Sequence, residues 1–239
     1  MNRKSGARGA SSREEWATRI AALEQEPVAR KEPITVDRIV GTALRLVETD
    51  GYAALTMRRV AAALGTGPAS LYAHVRNKAE LDDLLIGTLS RNVALPAPDA
   101  ARWRDQFVDV CGQLREEFLR YPGIAQAALS AAPNNLDTLR ITEGMLAILL
   151  AGGVGPQQAA WTIDAALLYV SAYTVEASLR RHPDHDEDTR VVDRAELVAR
   201  LRMLPVSRFP HTVEHADKIN SGEGHERFDF ALRLLLRGL

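Results

Sequence analysis

Hydrogen-bonding side chains and positive charges are concentrated between residues 58 and 78. Ser70, Tyr72 and His74 carry polar tips, and four cations flank them: Arg58, Arg59, Arg76 and Lys78. Guanidinium and ammonium groups bind phosphate oxygens, whereas hydroxyl and imidazole groups can hydrogen-bond to the edges of bases. Residues 34–80 contain six basic and four acidic side chains, although the whole chain has a net charge of −1. This local chemistry is typical of nucleic-acid recognition.

A first helix is predicted to support this surface. Apolar residues between Val36 and Val47 recur at three- and four-residue spacing, which is the pattern of one buried helix face. Thr35 stands at the N-cap position, Asp37 in the first turn and Gly51 just past the end. Together these signals predict a helix that stops before the glycine.

Two shorter helices follow, joined by a tight turn. Thr56 can cap the second helix, and Gly65 supplies the left-handed backbone conformation that stops it. Pro68 suits the first turn of the third helix, from which Leu71 and Val75 are predicted to point into the core. Such a pair of helices forms the element that inserts its second helix into the major groove of DNA. The alternative is a small three-helix bundle whose basic face is merely solvated.

Five short motifs run through this region in order: GY at 51–52, LT at 55–56, A..LG at 61–65, LY.H at 71–74 and NK..L at 77–81. Their order and spacing closely resemble the DNA-binding domain of the tetracycline-repressor (TetR) family. The resemblance implies an all-α protein with an N-terminal three-helix DNA-binding domain and a larger C-terminal helical domain for ligand binding and dimerisation. It also implies that the fourth helix, predicted to end near Ser90, links the two domains mechanically.

The resemblance assigns contacts with DNA to the helix-turn-helix. The main contacts are expected from Arg58, Ser70, Tyr72, His74 and Lys78. The wider predicted DNA-binding surface adds Thr35, Thr56, Thr66, Gly67, Pro68, Ala69 and Arg76. Because one helix-turn-helix reads only a few base pairs, the geometry independently favours a two-fold dimer on a palindromic operator.

The first 33 residues are predicted to form a basic N-terminal extension with a short helix. Arg3, Lys4 and Arg8 stand among small residues with no acidic side chain before Ser11. One interpretation is an arm that enters the minor groove of DNA, and the other is an ordinary disordered terminus. The predicted domains are therefore residues 1–33, 34–90 and 91–239.

Beyond Asp99 the sequence predicts helix after helix. The helix that follows Pro156 and the last helix, which follows Gly224, each carry apolar residues on two sides. One apolar side suits the core of the same chain, so the other predicts contact with a second copy, as in the four-helix bundle between TetR-family subunits. In contrast, residues 205–224 are rich in His, Pro, Ser, Gly and charge, which predicts a mobile excursion.

A small-molecule pocket among the C-terminal helices is expected from the same resemblance. Polar tips on an otherwise apolar helix are costly unless they are hydrogen-bonded, which favours Trp161, Asp164, Tyr169 and Tyr173 as ligand contacts. Ala94 and Ala128 replace the histidines that hold magnesium-tetracycline in tetracycline-binding members, so a larger, mostly apolar effector is expected, without a metal or other cofactor. The full predicted lining is Trp103, Phe107, Leu114, Met145, Leu149, Trp161, Asp164, Leu168, Tyr169 and Tyr173.

The composition of the chain also bears on whether the protein spans a membrane, is secreted or contains a disulfide. No apolar run approaches the roughly 18 residues of a membrane span, and no signal peptide is visible. The single cysteine, Cys111, excludes an intramolecular disulfide and is expected to be a core thiol. These features predict a cytoplasmic protein. The histidines and carboxylates of segment 182–188 invite a metal interpretation, but a solvated acidic loop is favoured because such a loop lacks a scaffold to fix ligand geometry.

The sequence therefore predicts a homodimeric transcriptional repressor that a small molecule releases from its operator. A transcriptional activator, or a regulator controlled by a protein partner, would use the same DNA-binding domain. A helical enzyme is the less favoured alternative, because no glycine-rich phosphate loop, nucleophile elbow or HExxH pattern is present.

Overall fold

The computed structural model describes residues 13–21, 33–130, 135–181, 194–219 and 221–239. All regular secondary structure in these ranges is helical, which confirms the predicted all-α class. The chain forms two compact units, Met1–Pro33 and Ile34–Leu239. In the first unit, residues 13–21 form helix α1, on which Trp16 and Ile20 are exposed. The basic residues predicted to enter the minor groove lie outside the described ranges.

Helix α2 spans Val36–Asp50 and carries both predicted caps. The Thr35 hydroxyl accepts a hydrogen bond from the Arg38 backbone N–H at 3.2 Å. At the other end, Gly51 has a φ of 78°, and its N–H donates to the Val47 carbonyl. The buried face of α2 includes the predicted residues Ile39, Val40, Ala43, Leu44 and Val47.

Two short helices form the pair predicted from the sequence. Helix α3 spans Met57–Ala63, and the Thr56 hydroxyl caps it by accepting a hydrogen bond from the Arg59 N–H at 3.2 Å. Gly65, with a φ of 66°, ends this helix. Helix α4 spans Pro68–Tyr72 and begins with the predicted proline. The two helices pack against each other, and α3 also packs against α2.

Helix α5 spans Lys78–Arg91, and Asn77 caps its start. The Asn77 side chain accepts a hydrogen bond from the Glu80 backbone N–H at 2.8 Å. The Glu80 carboxylate does not bond back to Asn77, as a full capping box would require, but accepts from the backbone N–H of Arg76. This hydrogen bond holds the pKa of Glu80 below its ordinary value.

Four further helices build the C-terminal core: α6 (Trp103–Leu119), α7 (Ala125–Ser130), α8 (Leu136–Ala151) and α9 (Pro156–Arg181). These bounds agree with the apolar patterns of the sequence. Helices α6, α8 and α9 pack against one another. Helix α5 contacts α2 and also α6, α7 and α8, so a single helix joins the helix-turn-helix to this core.

The chain ends in four shorter helices: α10 (Arg194–Arg202), α11 (Pro210–Glu214), α12 (Ala216–Ile219) and α13 (Glu226–Leu235). The first three pack among themselves, so the predicted excursion over 205–224 contains two short helices, the first opened by its own proline. Helix α13 packs on α6 and α9 through the buried side chains of Phe228, Leu232 and Leu236.

Two features are absent from the described ranges. None of their helices has the length and apolarity needed to cross a membrane. Nor do these ranges contain a group of three or more His, Cys, Asp or Glu side chains that could hold a metal ion; segment 182–188 lies outside them. Cys111 is fully buried, and this burial raises the pKa of its thiol to about 12, as expected of a core thiol.

Candidate nucleic-acid interface and ligand cavity

Helix α4 and the turn after it, which holds His74 and Val75, present a row of exposed side chains above a buried anchor. Leu71 and Val75 are fully buried, four residues apart on one side. Ser70, Tyr72 and His74 are exposed, and half of the Tyr72 surface is accessible. The same exposed edge includes Gly67, Pro68 and Ala69. The polar tips predicted to read bases are therefore on the surface, and the apolar anchor fixes the helix that carries them.

The four cations around this helix differ in their partners. Arg59 pairs with Asp50, and Arg76 pairs with Glu80 at 3.2 Å. Arg58 is exposed and has no hydrogen bond or ion pair with any described residue. Among these three arginines, Arg58 is therefore the one whose guanidinium is available for an external phosphate.

Lys78 is held inside the protein by two neighbours. Its ammonium donates to the Tyr52 hydroxyl at 3.0 Å and forms an ion pair with Asp82. The same ammonium lies 4.1 Å from the centre of the Tyr52 ring, and the hydroxyl in turn donates to Asp82 at 2.9 Å. Burial and the Asp82 carboxylate together raise the pKa of Tyr52. Lys78, predicted to contact phosphate, thus already has a structural role.

The predicted threonines occupy helix starts. Thr35 and Thr56 are exposed, and each hydroxyl oxygen accepts a backbone hydrogen bond, which leaves its O–H free to donate. Thr66 is half-buried in the turn between α3 and α4. The exposed hydroxyls lie beside N-terminal backbone groups, an arrangement that suits phosphate oxygens.

A polar contact joins the helix-turn-helix to the C-terminal core. Tyr52 begins a single turn of 3-10 helix, Tyr52–Ala54, and its backbone N–H donates to the Pro122 carbonyl at 2.9 Å. The next residue, Gly123, has a φ of 80° and donates its N–H to the Ser178 hydroxyl of α9 at 3.1 Å. The turn between α6 and α7 therefore touches both parts of the chain.

The C-terminal core contains a partly open cavity of about 310 Å³ that reaches α5. Its wall is mostly apolar, with four hydroxyl groups and two carboxylates. The lining residues are Asp83, Ile86, Ser90, Leu114, Phe118, Ala128, Leu129, Thr138, Ile141, Thr142, Asp164, Leu167, Leu168 and Ser171. The cavity has the composition of a small-molecule site, in which a few polar groups fix the orientation of an apolar ligand.

The structure brings only some of the predicted ligand contacts to this wall. Leu114, Asp164 and Leu168 line it, whereas Trp161 is exposed on the outside of α9. Four others belong to the packed core, where their apolar surfaces meet neighbouring helices: Trp103, Phe107, Met145 and Leu149. The cavity wall includes residues of α5, whereas these four large side chains are packed in the core.

Tyr169 and Tyr173 have hydrogen-bond partners at the start of α13. The Tyr173 hydroxyl is 3.0 Å from the His225 Nδ1, and the Tyr169 hydroxyl donates to the Arg227 carbonyl at 3.3 Å. Both rings pack against Phe228. Their polar tips are satisfied by residues more than fifty positions along the chain, which no local pattern could reveal.

Sequence reasoning missed the contribution of α5 to the cavity. Asp83, Ile86 and Ser90 all line it, at the three- and four-residue spacing of one helix face. An acidic residue beside apolar neighbours on this helix was a usable signal. The hydroxyls of Thr138 and Thr142 gave none, because threonines on a helix are common and carry no pattern of their own.

Comparison with known proteins agrees with this geometry. The family model described as "Bacterial regulatory proteins, tetR family" matches residues 39–82, from α2 to the first turns of α5. A second model, "Tetracyclin repressor-like, C-terminal domain", matches residues 95–239, which include α6 through α13. Together they account for the helix-turn-helix and the core that holds the cavity.

The matches to individual relatives also cover most of this chain and most of each relative. The ActR protein of Streptomyces coelicolor, solved in complex with actinorhodin, is 35% identical with a TM-score of 0.77, over 86% of this chain and 95% of that one. An HTH-type transcriptional regulator of Saccharopolyspora erythraea is 28% identical over 98% of this chain and 96% of its own length. The HTH-type transcriptional repressor DrrR1 of Streptomyces coeruleorubidus is 27% identical over 87% and 78%.

Proposed function

The chain belongs to the TetR family of DNA-binding transcriptional regulators, and we propose that it acts as a homodimeric repressor released from a palindromic operator by a small molecule. In this proposal residues 34–90 bind DNA, and residues 91–239 bind the effector and dimerise. The observation that carries it is helix α4 with the turn after it, where the exposed Ser70, Tyr72 and His74 stand on the fully buried Leu71. A row of exposed polar tips on a rigid base suits the reading of base edges in the major groove.

The contacts with DNA divide into two kinds. Arg58 reaches phosphate, and Ser70, Tyr72 and His74 face the bases. The other predicted contacts, on Thr35, Thr56 and the turn from Thr66 to Ala69, border the same surface. Arg76 and Lys78 contribute mainly by positioning α5, since their cationic groups already have carboxylate partners in the chain.

Two uncovered apolar faces support the dimer. On α9, Trp161, Leu168 and Leu179 are exposed, the first to 68%. On α13, Phe230 and Leu234 are exposed while Phe228 and Leu232 are buried. Large apolar side chains in rows on adjacent helices suit burial against a two-fold copy of the same helices.

The effector acts through α5, which carries both cavity residues and the contacts with Tyr52. A ligand that fits better when α5 is displaced shifts the population toward that position and changes the spacing of the two α4 helices in the dimer. Coupling of about 1–3 kcal/mol is typical and lowers operator affinity roughly 5- to 150-fold. Repression by the relative DrrR1 and the binding of actinorhodin by ActR support this role.

The test is a mobility-shift measurement on the DNA upstream of the protein's own gene, with random duplex as the control. We expect tight binding to the upstream DNA only, as a dimer per operator. Arg58→Ala should weaken binding to every duplex and reduce the slope of affinity against salt by about one, whereas Ser70→Ala should change the base preference.

The matched control is Arg208→Ala, which removes an exposed arginine that has no side-chain partner among the described residues. Its operator affinity should stay at the wild-type value. Equal affinity for operator and random duplex, or a strictly monomeric protein on the operator, would overturn the proposal.

A further inference from the structure

The charged groups that line the cavity are of one sign. Of the fourteen residues of its wall, eight are apolar, four carry hydroxyls and two are aspartates, Asp83 of α5 and Asp164 of α9. Lysine, arginine and histidine do not occur among them. The wall therefore offers negative charge and hydrogen bonds beside apolar surface in a partly open cavity.

Asp83 lacks a cationic partner among the described residues. The Asn135 side chain hydrogen-bonds to it, which lowers its pKa, but burial and the nearby charge of Glu80 raise the pKa above its ordinary value. Asn135 can lie there because Gly87 has no side chain: a Cβ on this glycine would be only 2.4 Å from the Asn135 Nδ2. The packing of α8 on α5 thus supplies one amide to a carboxylate that could accept more.

Asp164 presents the second carboxylate. It lies on α9 between Trp161 and Leu168, and it forms no hydrogen bond or ion pair with a described side chain. Asp164 is exposed to solvent while it lines the cavity, so its carboxylate is available to a cation that binds there. Two such groups around one cavity point to a ligand of opposite charge.

We propose that this cavity, which we take as the effector site of the proposed function, selects amphiphilic organic cations: an apolar ring system or chain that carries a protonated amine. The apolar part lies against Ile86, Phe118 and Leu167, and the ammonium group donates hydrogen bonds to Asp83 and Asp164. The wall hydroxyls bind neutral polar substituents of the ligand. A carboxylate ligand is disfavoured, because the two charged side chains of the wall are both negative.

The position of Asp83 gives such a ligand a direct mechanical effect. The preceding residue, Asp82, holds Lys78 and Tyr52 at the start of α5. An ammonium group drawn to Asp83 therefore pulls on α5 one residue away from the contact that fixes the helix-turn-helix. Asp83, which would bind the ammonium group, and Asp82, which fixes the helix-turn-helix, therefore lie on the same turn of α5.

The experiment uses three probes with one ring system: 1-naphthylmethylamine, 1-naphthylmethanol and 1-naphthaleneacetic acid. Each is titrated calorimetrically into the full-length protein at neutral pH and low salt. The ammonium probe should bind about tenfold more tightly than the alcohol, as expected for one partly desolvated ion pair, and the acid should bind most weakly. Equal affinities, a preference for the acid, or no binding of the ammonium probe at millimolar concentration would overturn the proposal.

Variants locate the preference. Asp83→Asn and Asp164→Asn keep side-chain size and should each reduce the ratio of amine to alcohol affinity, and the double variant should bring it to about one. Asp109→Asn is the matched control, since this exposed aspartate of α6 lies outside the cavity wall and has no ion pair among described residues. If Asp109→Asn lowers the ratio as much as Asp83→Asn, the preference is a property of the net charge and the proposal fails.

Mobility shifts with the wild-type protein separate this proposal from the preceding one. Operator binding together with equal probe affinities would overturn only the ligand class. A charge preference in the calorimeter together with no operator binding would overturn the repressor and leave the cation site standing.

Discussion

The helix-turn-helix and the ligand cavity are built from contacts of different range. In the helix-turn-helix, Thr35, Thr56 and Asn77 each cap a helix through a backbone N–H three residues away. The cavity wall instead draws on residues from Asp83 to Ser171, which five helices bring together. The DNA-facing end therefore has a geometry fixed by its own sequence, whereas the ligand-facing end depends on how distant helices pack. This difference lets ligand preference vary while the reading surface keeps its shape.

The largest expected effect is at the buried anchor of the DNA-facing end. Leu71→Ala should lower the free energy of unfolding by about 2–5 kcal/mol, because it leaves a cavity beneath α4. Urea denaturation measures this loss, and operator binding should fall with it. Leu136→Ala, at a position 82% exposed, should change stability by no more than about 0.5 kcal/mol. Similar losses in the two variants would contradict the contrast between anchor and surface.

The second largest effect is expected where Tyr52 of the helix-turn-helix contacts the turn between α6 and α7. Gly123→Ala places a Cβ 3.3 Å from the Cβ of Tyr52 at a backbone φ of 80°, so it should cost about 1–2 kcal/mol. Thermal melting measures it. The control is Gly155→Ala, whose nearest new contact would be the end of the Gln158 side chain at 3.4 Å. An unchanged melting temperature in Gly123→Ala would contradict this prediction, because it would show that the contact between Gly123 and Tyr52 accommodates the added Cβ without cost.

A smaller effect is expected when the Tyr52 hydroxyl, which hydrogen-bonds to both Lys78 and Asp82, is removed. Tyr52→Phe removes both hydrogen bonds and should destabilise the protein by about 1 kcal/mol. Tyr121→Phe is its control, since the Tyr121 hydroxyl has no hydrogen bond to a described residue. Chemical denaturation measures the stability of both variants. Equal stability of the two would show that the Tyr52 hydroxyl does not stabilise the contact with Lys78 and Asp82.

The smallest effect concerns the ligand-facing end without ligand. Because burial raises the pKa of Asp83 above its ordinary 3.8, the folded protein binds this proton more tightly than the unfolded chain does. In acid, the protonated Asp83 side chain contributes to the stability of the fold. This contribution is lost as pH rises from the ordinary pKa of the unfolded chain to the higher pKa of the folded protein. Asp83→Asn should therefore gain melting temperature relative to wild type between acidic and neutral pH. A constant difference across that range would contradict an unpartnered carboxylate.

The sequence predicted the local features well for a physical reason. Caps, glycine stops and the proline start of α4 act between neighbours in the chain, so residue type and spacing were sufficient. The partners of Tyr169 and Tyr173 lie on α13, and the role of Lys78 depends on Tyr52, which is 26 positions away. Such pairings arise from the packing of whole helices, and a pattern read along one helix does not contain them.

The neighbouring carboxylates of α5 have a practical consequence. Consecutive side chains on a helix point about 100° apart, so Asp82 faces Tyr52 while Asp83 faces the cavity. A biosensor designer can therefore recode position 83, together with the threonines of α8, to accept another inducer. Leaving position 82 untouched would preserve the transmission of the signal to the promoter.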